Sequence, residues 1–228
     1  MWIKICGNTS LEDARFATEC GAHAVGFVFA PSPRQVGADL VRKITERLPP
    51  QVEKYGVFVD ADFDEIVSTV AACGLTGVQI HRPSGGLLPF RLRQHFAQSL
   101  GRLGILRVLP YKGAEFEQQL KELGLNNAPD GVLVDSSTAR AVGGTGTSFD
   151  WLEARSSFLR AAPHLRLIAA GGLAPENVKQ AIQILRPWGV DVVSGVESAP
   201  GKKDPARVLA FIRSAQEAAE EILATEAK

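Results

Sequence analysis

A cysteine, an aspartate and two glycine-bearing turns are the residues of this 228-residue chain best placed to do chemistry. Cys6 closes a short apolar run, Trp2–Cys6, immediately before Gly7. Period-two alternation puts Lys4 on the same face, where an ammonium can lower the thiol pKa and favour the reactive thiolate. An isolated cysteine is just as often a small buried hydrophobe, and position alone leaves both readings open. Asp135 follows the apolar run Gly131–Val134 and is likewise either a group of the site or a turn and capping aspartate. The turns Gly171-Gly172-Leu173 and Ser194-Gly195-Val196 let backbone N–H groups approach an anion, and an adjoining helix N-terminus adds a favourable dipole. The alternative is that their glycines only permit tight bends. The two turns point to a phosphorylated ligand.

Such residues need a frame. Eight short runs rich in Val, Ile and Phe read as strands: Trp2–Cys6, Ala24–Phe29, Tyr55–Val59, Gly77–His81, Gly104–Leu109, Gly131–Val134, Leu165–Ala169 and Val190–Val193. They are apolar on both faces, as in a parallel sheet covered by helices. Amphipathic stretches fill the gaps. Leu11–Cys20 follows Ser10 as N-cap, and Asp39–Arg47 stops before Pro49-Pro50. Phe63–Cys73 follows Asp62 and ends at Gly74, a C-cap. Leu88–Ser99 and Ala114–Leu123 come next, the latter closed by Gly124, and Phe149–Leu159 follows Ser148. Pro175–Leu185 opens with a proline in its first turn, and Pro205–Leu223 is the last and longest. Eight strand–helix alternations in a chain of this length predict an α/β fold, a single-domain (β/α)8 TIM barrel over residues 1–228. A doubly wound open sheet needs only six strands.

In that fold the chemistry sits at the C-terminal ends of the strands, and phosphate binds on the loops after the seventh and eighth. Cys6, Ser32-Pro33-Arg34, Val59-Asp60, Gln79 and His81, Asp135, Gly171-Gly172, and Asp191 with Ser194-Gly195 all fall at that end. Gly143-Gly144-Thr145-Gly146 lacks the Lys-Ser/Thr of a nucleotide P-loop and reads as a loop beside the site.

Composition narrows the classes. Net charge is zero, with 45% hydrophobic and 22% charged residues, which argues against a nucleic-acid protein. No signal peptide opens the chain and no apolar stretch is long enough to span a bilayer, so a cytoplasmic location is expected. Cys6, Cys20 and Cys73 form neither a disulfide framework nor a zinc site; Cys20 and Cys73 read as buried hydrophobes. No metal or other cofactor is expected. His23, His95 and His164 read as structural or surface residues.

These motifs resemble, in order and over nearly the whole chain, those of the phosphoribosylanthranilate isomerases of tryptophan biosynthesis. The resemblance lies in Lys4-Ile5-Cys6-Gly7-Asn8-Thr9 with Glu12-Asp13-Ala14, Gly26-Phe27-Val28-Phe29 with Ser32-Pro33-Arg34, and Gly56-Val57-Phe58-Val59. It continues in Val78-Gln79-Ile80-His81, Gly143-Gly144-Thr145-Gly146 with Phe149-Asp150-Trp151, and Ala170-Gly171-Gly172-Leu173 with Pro175-Glu176-Asn177-Val178. It ends in Gly189-Val190-Asp191-Val192, Ser194-Gly195-Val196-Glu197 and Gly201-Lys202-Lys203-Asp204.

The resemblance implies an Amadori rearrangement of N-(5-phosphoribosyl)anthranilate to 1-(2-carboxyphenylamino)-1-deoxyribulose 5-phosphate. It makes Cys6 the base and Asp135 the acid, with the thiol pKa pushed down and the carboxyl pKa up. It puts Arg34 on the anthranilate carboxylate, although an arginine there is otherwise read as a surface loop residue. Gln79, His81 and Asp191 line the substrate, and Gly171, Gly172, Ser194 and Gly195 hold the phosphate. Partners are limited to the small-molecule substrate, with no nucleic acid or membrane, in a monomer or homodimer. The chain departs from the pattern twice: Arg82-Pro83-Ser84 replaces Gly and an acidic residue after the fourth strand, and Val193 replaces the first of two serines. The related histidine-pathway aminoaldose isomerases use paired aspartates, one on the first strand where this chain has Cys6. A catalytically silent phosphate-binding barrel is the remaining alternative, and turnover separates it from an enzyme.

Overall fold

In the computed structural model, residues 1–81, 87–97, 102–111, 114–126, 129–135 and 151–226 are described. Strands β1 (Trp2–Ile5), β2 (Ala24–Val28), β3 (Glu53–Phe58), β4 (Gly77–Ile80), β5 (Gly104–Pro110), β6 (Gly131–Asp135), β7 (Arg166–Ala170) and β8 (Gly189–Val192) alternate with eight helices. These are α1 (Leu11–Glu19), α2 (Ala38–Thr45), α3 (Phe63–Cys73), α4 (Leu88–Phe96), α5 (Ala114–Asn126), α6 (Trp151–Ala161), α7 (Val178–Leu185) and α8 (Pro205–Glu226). The strands pair in sequence order, all parallel, and β8 returns to β1, so the sheet closes into a barrel. After β8 come a 3-10 turn, Ser194–Val196, and a small antiparallel hairpin, β9 (Glu197–Ala199) and β10 (Lys202–Lys203).

Alternation sorts the strand side chains. Ile3, Ile5, Val25, Phe27, Val78, Ile105, Val132 and Val190 point outward and pack under the helices in the main core. Trp2, Ala24, Tyr55, Leu106, Val108, Leu133, Ile168 and Ala170 form a separate cluster within the ring, so the barrel is filled rather than hollow. Above this plug the inward positions turn polar: Lys4, Gln79 and Asp191 are all buried. The expectation of strands apolar on both faces fails at this level, because the functional end needs groups that a core does not.

The local signals predict most helix starts. The Ser10 side chain accepts from Asp13 N–H and Asp62 from Glu65 N–H, satisfying first-turn donors, and Gly74 caps α3. Several boundaries differ by a few residues. Helix α5 runs through Gly124 to Asn126. Helix α7 starts at Val178, beyond Pro175, because the Asn177 side chain accepts from Ala174 N–H and donates to Gly172 O, winding that segment into a turn. Helix α2 ends at Thr45, short of Arg47. Cys73 is buried as expected, but Cys20 is only partly so at the end of α1. His23 accepts from Ile3 N–H, His95 packs edge-on to Phe63 and Phe96, and His164 is exposed. Ser148, the glycine loop 143–146 and Arg82-Pro83-Ser84 lie outside the described residues.

Candidate active site

The C-terminal ends of the strands enclose a cavity of about 340 Å3, lined, among the described residues, from every strand or following loop except those of β5. Cys6 and Asp135 both line it, from the ends of β1 and β6. Arg34, Gln79, His81, Asp191, Gly171, Gly172 and Ser194 line it with them. Gly195 does not; its backbone is pressed against the Leu173 carbonyl, where a Cβ would collide. The missing side chain at Gly195 lets the loops after β7 and β8 touch. Gly171 and Gly172 have φ of 75° and 64°, a left-handed backbone that other residues adopt with strain.

Cys6 is held by its backbone. Its N–H donates to Val192 O at 2.9 Å, while the Asn8 side-chain amide donates to Ile5 O and Gly26 O and pins the turn behind it to β2. Lys4 lies one inward position below. Its ammonium donates to Asp191 Oδ1 at 2.9 Å and Gln79 Oε1 at 2.7 Å. Burial opposes the Lys4 charge, yet Asp191 and then Cys6 outweigh it and hold the ammonium above its ordinary pKa. The ion pair does not lower Asp191, whose burial pushes the carboxyl up in spite of Lys4. Cys6 is the correction. Burial pushes its thiol up, and the opposing charge of Lys4 is not enough to reverse that. A lowered thiol needs a lysine with charge to spare, and much of this one's is taken by Asp191.

The same lysine orients a second group. Because Lys4 donates to Gln79 Oε1, the Gln79 amide nitrogen is left as donor to His81 Nε2, 3.1 Å away. His81 therefore carries its proton on Nδ1. Burial and the charge of Lys4 hold its pKa below the ordinary value, so the imidazole is neutral at neutral pH.

Arg34 stands at the rim, clamped by a residue that the sequence reading did not place. Glu197 accepts from Arg34 Nε at 2.8 Å and from Nη2 at 2.6 Å. Lys203 in turn donates to Glu197 Oε1 at 3.1 Å, to Cys6 O at 2.6 Å and to Val193 O at 3.1 Å. Two charges six residues apart across a Pro-Gly turn were the available signal, since a hairpin brings such positions together. Val193 itself lines the cavity with Asp191.

Set beside known proteins, the chain matches the family model for N-(5'-phosphoribosyl)anthranilate (PRA) isomerase over residues 3–214. It is 38% identical to the N-(5'-phosphoribosyl)anthranilate isomerase of Citrifermentans bemidjiense, covering 95% of this chain and 98% of that one. The crystal structure of phosphoribosyl anthranilate isomerase from Thermotoga maritima superposes with a TM-score of 0.81 at 35% identity, over 95% and 99% of the two chains. A phosphoribosyl anthranilate isomerase in complex with reduced 1-(o-carboxyphenylamino)-1-deoxyribulose 5-phosphate gives a TM-score of 0.79 at 33% identity, over the same shares. With the family model matched over residues 3–214 and a thiol and a carboxyl lining one barrel cavity, the chain belongs to the N-(5'-phosphoribosyl)anthranilate isomerase family.

Proposed function

We propose that Cys6 and Asp135 are the base and acid of an intramolecular aldose–ketose isomerisation, the conversion of N-(5-phosphoribosyl)anthranilate to 1-(2-carboxyphenylamino)-1-deoxyribulose 5-phosphate in tryptophan biosynthesis. The observation that carries the assignment is that both side chains line one cavity, with Arg34 at its rim and the Gly171-Gly172 turn in its wall. Asp135 gives a proton to the furanose ring oxygen. The C1–O4 bond breaks, and the anthranilate nitrogen lone pair forms the iminium. The Cys6 thiolate takes the C2 proton, and the C2–H electrons neutralise the iminium to an enolamine. That intermediate gains a proton at C1 and loses one from the C2 hydroxyl to give the ketone. Cys6 ends with one proton more and Asp135 with one fewer, and exchange with solvent resets both.

Around this pair, Arg34 receives the anthranilate carboxylate, Gln79, His81 and Asp191 line the pentose, and Gly171, Gly172, Ser194 and Gly195 offer backbone and hydroxyl donors to the phosphate. No described helix is long and apolar enough to cross a membrane. Residues 1–228 act as one catalytic domain, in the cytoplasm, as a monomer or a homodimer. The test is a fluorescence assay of phosphoribosylanthranilate consumption. Cys6→Ser and Asp135→Asn should each lower kcat by about 100-fold or more while circular dichroism stays native. Turnover near that of the parent in either variant refutes the role given to that residue.

A further inference from the structure

Three charged side chains at the rim form a chain that the isomerisation steps do not use. Glu197 is 4% exposed and Lys203 2%, whereas Arg34 is 21% exposed and alone among the three lines the cavity. Glu197 grips one edge of the guanidinium, Nε and Nη2, with both carboxylate oxygens. The opposite edge, Nη1 with the outer N–H of Nη2, is a second fork that matches a carboxylate. Glu197 is fixed from behind. Its Oε1 also accepts from Lys203 Nζ and from Gly201 N–H. Lys203 spends all three N–H donors, one on Glu197 and two on the carbonyls of Cys6 and Val193, at the ends of two neighbouring strands. Its backbone N–H is tied to Asp13 in α1. Arg34, Glu197 and Lys203 together carry one net positive charge, so the clamp leaves the rim attractive to an anion.

We propose that Glu197 and Lys203 are positioning residues for carboxylate recognition: Glu197 aims the free edge of Arg34 into the cavity, and Lys203 locks Glu197 to the main chain that carries Cys6. The proposal rests on the reading of Arg34 as the carboxylate's partner. It gives the hairpin β9–β10 a task, which is to register the binding arginine against the catalytic cysteine through one ammonium. Burial of the two inner charges means that neither can turn away to solvent without leaving the other unpaired, so Arg34 is held in one orientation before substrate arrives.

The test compares two substrates, phosphoribosylanthranilate and its decarboxylated counterpart, N-(5-phosphoribosyl)aniline. Arg34→Met should raise KM for the first by about 100-fold and leave the second almost unchanged. Glu197→Gln should copy that selectivity at lower amplitude, about tenfold on KM for the carboxylated substrate, with kcat within about twofold. Lys203→Met should show the same KM selectivity and in addition lower kcat on both substrates, because the Cys6 carbonyl loses its donor. A purely structural role for Glu197 predicts equal losses on both substrates, or a lower melting temperature with no selectivity. That outcome, with Arg34→Met still selective, overturns the proposal. Arg34→Met without selectivity sinks the carboxylate reading itself, and the proposal falls with it. Should Lys203→Met fail to fold, the near-isosteric Glu197→Gln still decides the matter.

Discussion

At the scale of single residues, Cys6 is under two opposed demands. A base must be ionised, yet the cavity that shields the reaction also shields the thiol from water. Burial raises its pKa above the ordinary value, and Lys4 and Lys203 pull the other way without winning. The thiol itself should therefore reach half ionisation only above about pH 8.5, the point for an unperturbed thiol, as read from the ultraviolet absorbance of the thiolate in the parent minus Cys6→Ser. A thiolate signal already complete by about pH 7 would mean a lowered thiol and contradict this account. The sequence shows Lys4 and Cys6 on one face but not this balance. The reason is Asp191, which lies 187 residues away and meets Lys4 at 2.9 Å only because the ring closes β8 onto β1. Alternation within a strand is visible in the residues themselves; neutralisation from a neighbouring strand is not.

At the scale of elements, the site depends on what β2 leaves out. Gly26 faces the interior opposite Cys6, and a Cβ there would overlap the Cys6 sulfur and stand 3.1 Å from both Cys6 Cβ and Lys4 Cε. Gly26→Ala should therefore displace the thiol rather than unravel the strand, whose backbone pairs with both β1 and β3. We expect kcat to fall by about 100-fold, the scale of a misplacement near 1 Å, with a cooperative thermal transition retained. A variant with parental kcat would show that the thiol tolerates the shift or is not the base. Strands and helices were legible from hydrophobic period, since each must bury one face or both. What the period could not show was set by side chains bonding to backbone. Asn177 turns Pro175 out of α7, and Lys203 converts the segment after β8 from a loop into the support of Arg34 and Cys6. The motif containing Lys203 stood out in the sequence, but its partners are carbonyl oxygens, which every residue has and no pattern marks.

At the scale of the whole molecule, the two ends of the barrel are built to different purposes. The upper end gathers buried polar groups around a cavity, while the lower is bound by aromatic and ionic contacts. Trp2 packs on Tyr55 and Trp188, and Arg166 lies over the Trp188 ring. Asp130, just before β6, ties three segments together: it accepts from Arg93 and from Ile105 N–H, each at 2.8 Å, and pairs with Arg102. Nothing in the sequence singles out Asp130, because its partners converge only once β5 and β6 lie side by side. The division of labour predicts that Asp130→Asn lowers stability and spares catalysis. Weakening a charge-assisted set of this kind costs about 2 kcal/mol, or roughly 4–8 °C in melting temperature for a chain of this size, with kcat/KM unchanged. The sign of its pH dependence follows from the carboxyl. Burial opposes ionisation, but Arg102 and Arg93 outweigh it and hold the folded pKa below the ordinary value. Its contribution is thus complete at neutral pH and fades as pH falls from about 4 through the lower folded value. Parent and variant should differ in melting temperature at pH 7 and converge in acid. A gap that persists unchanged in acid would place the loss in packing instead of charge, and a fall in kcat/KM would show that the two ends of the barrel are not independent.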